Sequence, residues 1–308
     1  MKAIMYHYIK KYDASHPNFR FLDFKNFKLQ LDFFDKKFGF VSKKEWIDFI
    51  DNGVYPNSKG KVILTFDDGL QCHYEIVFKE LLRRGLWGIF YIPAMPHIDN
   101  KFLDVHRIHL LTGAFSGEVL FLSLNKYLRK YMIPDSKIEE FNKNTYKNQE
   151  NSYMITEFKK ILNYYISYEY RELLIDQISF DLNYKFNIED FYIRPINLKN
   201  MSKNGMIIGS HSYSHPVMSK LSFAEQKVEI EKSLKFLESI NIVAPKTYCH
   251  PYGGFHTFNK KTIEILNFEK VSYSFNVEPR EISPDDIDNS RQHLPRFDCN
   301  LFPYGKAD

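Results

Sequence analysis

Short apolar runs alternate with amphipathic stretches over the first hundred residues of the chain and again after residue 200. The apolar runs predict buried strands at 2–9, 61–66, 88–92, 206–209, 246–249 and 270–275. Apolar positions at helical spacing predict helices at 24–38, 74–84, 222–240 and 259–266. Ser42 and Ser222 each precede a glutamate by three residues, which is the capping-box pattern of a helix start. Strand, helix and strand in this order form parallel crossover units, so the pattern predicts an α/β fold.

The predicted units define one domain with an interruption. About seven strand–helix units over residues 1–308 suit an irregular (β/α)7 barrel, whose active groups lie at the carboxyl ends of the strands. Residues 97–200 break the alternation, because their apolar patterns are mainly helical. We expect this stretch to be a mostly helical insertion, a cap that covers an open side of the barrel, shapes substrate entry, or does both.

The strand predicted at 61–66 ends in two adjacent carboxylates, Asp67 and Asp68, followed by Gly69. Neighbouring buried carboxylates repel each other and lose hydration energy unless a cation, a proton or hydrogen-bond donors compensate. The pair therefore indicates a metal, a shared proton or ordered water. Taken alone, a solvated turn explains the same residues equally well, since Asp and Gly are common turn residues.

Two histidines four residues apart, His211 and His215, follow the strand predicted at 206–209. On a helical turn this spacing brings both imidazoles to one side, where they can bind one divalent ion together with a carboxylate. Taken alone, two histidines on a loop are more often structural than ligands. Two histidines and one aspartate at strand ends leave a coordination position for water, the arrangement of a catalytic metal site.

These motifs resemble those of the polysaccharide deacetylase family, also called the NodB-homology family or carbohydrate esterase family 4. Residues 65–69 (TFDDG) match its first motif, and residues 211–215 (HSYSH) match its second, His-Ser/Thr-x-x-His. Pro251 and Tyr252 fit the third motif, Arg-x-Pro-Tyr, in which Cys249 here replaces the arginine. The sequence around the motifs resembles the branch of the family found in bacterial surface-polysaccharide gene clusters. The resemblance implies an irregular (β/α)7 barrel of the NodB-homology type.

The resemblance also implies the roles of the motif residues. Asp67 corresponds to the general base, and Asp68, His211 and His215 correspond to the ligands of one divalent metal ion. A ligated carboxylate is a poor proton acceptor, which agrees with this division between the two aspartates. Two histidines and one aspartate suit Zn2+, while Fe2+, Co2+ and Ni2+ fit the same ligands. Pro251 and the backbone N–H of Tyr252 resemble the family's oxyanion-binding position.

Other site residues are less defined by the motifs. Cys249 lacks the charge and the fork of donors needed to orient the base, so Arg296 is predicted to replace the motif arginine, with an ordinary surface arginine as the equal alternative. His293 is the positional candidate for the general acid, and His250 and His256 compete with it.

Two further histidines are candidate substrate or oxyanion contacts. His7 ends the first predicted strand and would face the site in a barrel, where substrate binding and simple packing are both reasonable. His250 lies directly before Pro251 of the third motif, which places it in the same substrate and oxyanion group.

Composition restricts the function further. The formal charge of +4 over 308 residues, without aromatic–basic interleaving, does not indicate nucleic-acid binding. The three cysteines are odd in number and far apart, which suits reduced thiols. The first ten residues lack the pattern of a signal peptide, and no apolar run is long enough to span a membrane. We therefore expect a cytoplasmic protein, free or peripheral to the inner membrane.

The combined prediction is a metal-dependent deacetylase that removes an N-acyl group, most simply acetyl, from an amino sugar. Its substrate would be a nucleotide-linked or lipid-linked saccharide precursor of a surface polysaccharide or O-antigen. The alternatives are a catalytically inactive carbohydrate-binding relative, and a deacylase acting on another acyl group or on an O-acetyl ester. A metal phosphoesterase with two ions would need more carboxylates and histidines than the motifs supply.

Overall fold

The computed structural model describes residues 1–56, 60–142, 145, 151–242 and 245–307. The chain forms two compact units. The first comprises Met1–Lys11, Phe21–Lys101 and Glu189–Asp308, and the second comprises Tyr12–Arg20 and Phe102–Ile188.

The first unit is built on a seven-stranded sheet in which every neighbouring pair of strands is parallel. The strands of the described residues are β1 (Lys2–Tyr6), β2 (Ile9–Lys10), β3 (Leu22–Asp23), β4 (Val62–Phe66), β5 (Ile89–Ile92), β6 (Ile207–Ser210), β7 (Thr247–Cys249), β8 (Tyr273–Phe275) and β9 (Phe297–Asp298). Their order in the large sheet is β8-β7-β6-β5-β4-β1-β9, and β2 pairs with β3 separately. The sheet curls into the half-barrel of the irregular (β/α)7 type, so the predicted fold class is confirmed.

Helices connect the strands and make up most of the second unit. The α-helices of the described residues are α1 (Phe24–Lys37), α2 (Lys43–Asn52), α3 (Lys79–Arg83), α4 (Met95–Ile98), α5 (Asp104–Ala114), α6 (Gly117–Tyr127), α7 (Asp135–Asn142), α8 (Tyr153–Lys160), α9 (Tyr168–Asp181), α10 (Pro195–Lys203), α11 (Phe223–Ser239), α12 (Lys260–Phe268) and α13 (Asp286–Asn289). Helices α5 to α9 lie in the second unit. The boundaries 97–200 of the insertion and its role as a cap stay predictions.

Both faces of the central strands are buried, as expected for a parallel sheet covered on each side. Side chains that face the barrel interior form one apolar cluster with Trp46, and they include Ala3, Ile63, Ile89, Tyr91, Ile207, Cys249 and Phe275. Side chains of the opposite face pack with the outer helices, and they include Ile4, Tyr6, Leu64, Phe66, Phe90, Ile92 and Ile208. The alternation along each strand therefore decides which residues can reach the barrel interior.

Local patterns predict several helix starts and miss interruptions. The capping boxes at Ser42 and Ser222 both form. The helix predicted at 74–84 begins with a π-helical turn, His73–Phe78. Ile166 takes extended backbone angles and ends the π-helical turn that follows α8, and the segment after β8 contains the short helix α13.

No helix in the described ranges is both long enough and apolar enough to cross a membrane.

Gly209 allows strand β6 to lie close to its neighbours. A Cβ atom at this position would lie 2.5 Å from Cε1 of Tyr91 and 2.6 Å from Cγ2 of Thr247. Both neighbours are buried and joined by a 2.9 Å hydrogen bond between their hydroxyls, so neither can move freely. We expect Gly209→Ala to lower the free energy of unfolding by about 1–3 kcal/mol, the usual cost of overpacking. Urea denaturation measures this loss, and an unchanged transition midpoint would contradict the packing argument.

Candidate active site

The candidate residues follow the carboxyl ends of three strands of the large sheet. Asp67 and Asp68 follow β4, His211 and His215 follow β6, and Cys249 ends β7. Since these strands run parallel, their carboxyl ends lie at the same edge of the sheet. The sheet thus brings together residues that are up to 182 positions apart in sequence.

Asp68, His211 and His215 form a buried group of metal-ligand type. The Nε2 atoms of His211 and His215 each lie 3.5 Å from Oδ1 of Asp68. Nitrogen and oxygen ligands about 2.1 Å from a tetrahedral zinc ion are about 3.4 Å apart, so this spacing fits one ion at the centre of the three atoms. The three residues are at most 5% exposed.

The neighbouring strand fixes the orientation of one imidazole. Nδ1 of His211 lies 2.9 Å from the backbone carbonyl of Cys249, which can only accept a hydrogen bond. The proton of neutral His211 therefore resides on Nδ1, and the lone pair of Nε2 points toward Asp68. Such a contact behind a ligating histidine sets its tautomer and its direction.

The backbone of the motif loops takes a conformation that is uncommon outside glycine. Asp68, Ser212, His215 and Tyr252 have φ values of 77°, 64°, 57° and 61°. Residues 211–215 form an irregular loop and not a helical turn. The rings of His211 and His215 lie 4.7 Å apart, and backbone strain of this kind collects at functional sites.

Asp67 is held by a buried, bidentate ion pair with Arg296. Two guanidinium nitrogens of Arg296 donate to Oδ1 and Oδ2 of Asp67, each at 2.8 Å. The remaining donors reach the Thr65 hydroxyl at 3.0 Å, the Asn276 carbonyl at 3.0 Å and Sγ of Cys249 at 2.9 Å. All five N–H groups of the arginine are thus used. Burial raises the pKa of Asp67, but the attraction of Arg296 and His211 together with the Arg296 hydrogen bonds outweighs it and lowers that pKa to about 2.

Cys249 completes the surroundings of this pair. Its thiol lies 3.5 Å from Oδ2 of Asp67 and accepts a hydrogen bond from Arg296. Burial raises the pKa of the Cys249 thiol, although Arg296 opposes the rise, so the sulfur stays protonated.

Asp67, His211 and Cys249 form a second possible ligand group. In that group the guanidinium already supplies the positive charge, which favours Asp68, His211 and His215 as the metal site.

His7 reaches the same carboxylate from strand β1. Its Nε2 lies 4.0 Å from Oδ2 of Asp67, and its side chain is 39% exposed. The carbonyl of His7 accepts a 2.6 Å hydrogen bond from Nε2 of His73. His73 was not among the candidates from sequence, since it lies outside the motifs and only the packing of its π-helical turn brings it to His7. The predicted role of His7 in substrate binding stays a prediction.

The loop after β7 is packed beside His215. The ring of Tyr252 lies 4.9 Å from the His215 ring, and the Pro251 carbonyl accepts a 3.1 Å hydrogen bond from the Thr257 hydroxyl. A Cβ on Gly253 would lie 2.3 Å from Cγ2 of Val277, so only glycine fits there. The loop is therefore placed beside the ligand group, and the oxyanion role of Pro251 and Tyr252 stays a prediction.

His250 is held by contacts other than the candidate site. Its ring stacks on Phe258 with centroids 3.9 Å apart, and its Nε2 lies 2.8 Å from the Gln292 carbonyl. Burial lowers the pKa of His250 to about 3, so the ring is neutral. These contacts lend no support to its predicted place among substrate or oxyanion groups.

The structure places the remaining acid candidates in the adjoining loops. The His293 ring is partly buried, 5.7 Å from the ring of Phe255 and 6.4 Å from that of Phe258. The ring of His256 lies against Gly254, where an added Cβ would approach Cε1 to 2.5 Å. Neither set of contacts includes Asp67 or the three possible ligands, so the identity of the general acid stays a prediction.

Neutral His73 makes the stability of the fold sensitive to acid. Burial lowers the pKa of His73 to about 4 from an ordinary 6.5. Between these two pH values His73 is protonated in the unfolded chain but neutral in the folded chain. The free energy of unfolding therefore falls as the pH is lowered from 6.5 to about 4. We expect the stability advantage of the parent over His73→Phe to shrink by up to about 3 kcal/mol between pH 7 and pH 4.

Urea denaturation of both proteins at several pH values measures this difference, because the other buried histidines are common to both. A difference that is constant with pH would contradict the assignment of a neutral His73.

Comparisons with known proteins agree with this geometry. The sequence profile described as "Polysaccharide deacetylase" matches residues 174–273. The peptidoglycan-N-acetylglucosamine deacetylase of Bacillus cereus is 32% identical over 105 residues, 34% of this chain and 37% of that protein. The peptidoglycan-N-acetylmuramic acid deacetylase PdaC of Bacillus subtilis is 37% identical over 60 residues, 20% of this chain and 13% of that protein. The matches thus cover well under two thirds of these relatives.

Solved structures share the fold over most of the chain. The Streptococcus pyogenes deacetylase PplD, solved with acetate, superposes with a TM-score of 0.57 at 15% identity, covering 97% of this chain and 91% of its own. IcaB from Ammonifex degensii superposes with a TM-score of 0.52 at 16% identity, covering 89% and 82%. With the three motifs, these matches confirm the resemblance found in the sequence.

Proposed function

We propose that this chain, which belongs to the polysaccharide deacetylase family, is a metal-dependent deacetylase that removes the N-acetyl group of an amino sugar. The observation that carries the proposal is a buried ligand group, Asp68, His211 and His215, next to a carboxylate held by an arginine fork. The Bacillus cereus relative, named a peptidoglycan-N-acetylglucosamine deacetylase, supports an acetylated amino sugar as the substrate.

The proposal extends to the form of the substrate and the place of action. We infer a nucleotide-linked or lipid-linked saccharide precursor of a surface polysaccharide or O-antigen, modified in the cytoplasm or at the inner-membrane surface. The similarity of the sequence around the motifs to the surface-polysaccharide branch supports this part.

Asp68, His211 and His215 would hold the divalent ion, for which zinc is the first choice. When bound, the ion polarises the acyl oxygen and makes a water molecule more acidic. Asp67 is not part of this ligand group, and its carboxylate is fully ionised at neutral pH because its pKa is about 2. A carboxylate of such low basicity accepts a proton only from a water whose pKa has been lowered. The general-base role of Asp67 therefore depends on the metal site beside it.

Arg296 keeps the base in one orientation. Its fork occupies both oxygens of Asp67 and leaves the carboxylate no freedom to rotate. The carboxylate can still accept from a water through its remaining lone pairs. His293 would protonate the leaving amine, and the Tyr252 N–H would stabilise the oxyanion, as the family resemblance implies.

Metal content tests the ligand assignment directly. We expect elemental mass spectrometry of the zinc-reconstituted parent to find about one ion per chain, because three protein ligands suffice for a catalytic site. Asp68→Ala and His211→Ala should retain none, whereas Asp67→Asn should retain the metal and lose turnover. A parent that binds neither zinc nor Fe2+, Co2+ or Ni2+ would overturn the hydrolase proposal and favour a carbohydrate-binding protein.

Variants of Arg296 provide a second test. They separate the bidentate hydrogen bonding that orients Asp67 from the positive charge beside it. Lysine keeps one positive charge but lacks the fork, so we expect Arg296→Lys to lower turnover about a hundredfold, the scale of a misplaced catalytic group. Arg296→Ala should abolish turnover. Both variants should keep the metal content of the parent, since Arg296 contacts none of the three ligand side chains in the described structure.

Acetate release from an oligosaccharide of N-acetylglucosamine measures the effect. Arg291→Lys is the matched control, because Arg291 is partly buried nearby and donates only to the backbone carbonyls of Ile287 and Ser272. Parent-like turnover in Arg296→Lys would show that the fork is not needed.

A further inference from the structure

The loop that carries both candidate histidine ligands has an acceptor for each of its five backbone N–H groups. His211 N–H donates to the Ile92 carbonyl at 2.9 Å. The N–H groups of Ser212 and His215 donate to the serine hydroxyls of Ser210 and Ser212, at 3.3 and 2.9 Å. The remaining two lie at the apex of the loop, between the histidines, and their acceptor comes from outside the loop.

That acceptor is Glu229 on helix α11. Its Oε2 accepts from the N–H groups of Tyr213 at 3.0 Å and Ser214 at 2.8 Å. Its Oε1 accepts from the Ser214 hydroxyl at 2.6 Å. Glu229 is 9% exposed, so its three donors replace the water that burial removes.

Neighbouring residues on the same face of α11 also contact this segment. The ammonium group of Lys232 lies over the Tyr213 ring, 4.3 Å from its centroid. The hydroxyl of Ser233 lies 2.6 Å from that of Ser210, which in turn accepts from Ser212. Positions 229, 232 and 233 follow the i, i+3, i+4 spacing of one helical face. The carbonyls of Ser212 and Tyr213 are held separately, by the N–H groups of Ala94 and Met95.

We propose that Glu229 is a positioning residue for the metal site, which sets the separation of His211 and His215 by fixing the backbone between them. This inference rests on the proposed function, since it assigns Glu229 to the same metal-binding loop. Glu229 touches neither histidine side chain and acts only through the N–H groups of Tyr213 and Ser214 and the Ser214 hydroxyl. Its effect should therefore be visible in metal affinity.

Two conservative variants separate the effect of the length of the Glu229 side chain from the effect of its charge. Glu229→Asp keeps the charge but shortens the side chain by one methylene, so its carboxylate falls short of the two N–H groups. Glu229→Gln loses the charge but keeps an oxygen at the same distance, and its amide can donate to the Ser214 hydroxyl. Burial raises the pKa of Glu229, which also favours a neutral replacement. Glu231→Asp is the control, because Glu231 pairs only with Lys227 and Lys235 on the same helix.

The zinc dissociation constant of each purified protein, measured by competition with a chromophoric chelator, tests the proposal. We expect Glu229→Asp to bind zinc at least about tenfold more weakly than the parent, and Glu229→Gln and Glu231→Asp to bind within about threefold, as for partners behind metal ligands. Circular dichroism confirms that each variant is folded. Zinc affinity of Glu229→Asp equal to that of the parent, or weaker binding in Glu229→Gln than in Glu229→Asp, would overturn the positioning role alone. If the parent does not bind zinc, the same competition is run with Fe2+, Co2+ and Ni2+; a parent that binds none of the four ions would overturn the proposed function, and this role with it.

Discussion

Two adjacent carboxylates, Asp67 and Asp68, are buried at one strand end, and the rest of the site follows from the need to compensate them. Asp67 is 2% exposed and Asp68 is 3% exposed. Ionised carboxylates at this depth would lose several kcal/mol of hydration each without partners of opposite charge. Asp67 receives an arginine, and Asp68 faces two imidazoles in a geometry that suits a cation. The two neighbours thereby take different roles, because different strands supply their partners.

The arginine that compensates Asp67 lies far along the chain from the third motif. In the motif that the sequence resembles, it would lie at position 249, at the end of β7. Here Cys249 occupies that position, and Arg296 enters directly before β9, at the opposite edge of the sheet order. A cysteine is small enough to leave space for the guanidinium, and its sulfur accepts one of the five N–H groups. We interpret positions 249 and 296 together: the positive charge beside Asp67 is kept, but the arginine that carries it is at position 296 instead of position 249.

Sequence patterns predicted the parts of this structure that depend on local order, and missed those that depend on packing. The strands ending at Asp67 and His211 were predictable because apolar runs stop abruptly at polar residues, and the serine caps of α2 and α11 because capping acts within one turn. The irregular loop at 211–215 could not be derived from the spacing of its histidines, since its backbone is held by hydrogen bonds to Glu229 on another element. Glu229 and His73 carry no motif, and their contacts with Ser214 and His7 arise only when separate elements pack together.

Hydrogen bonds from surrounding groups hold the residues of the candidate site in place. The Cys249 carbonyl accepts from Nδ1 of His211, Glu229 accepts from the loop between the histidines, and Arg296 holds the carboxylate of Asp67. The contacts of His211 and Arg296 are buried and that of Glu229 is partly buried, and in such surroundings hydrogen bonds are strong and an unmatched group is costly. A site held in this way does not need to reorganise when a cation or substrate binds, which lowers the free energy that binding and catalysis must supply. With cysteine at the motif position, Asp67 is still paired with a buried arginine, because Arg296 reaches both of its oxygens.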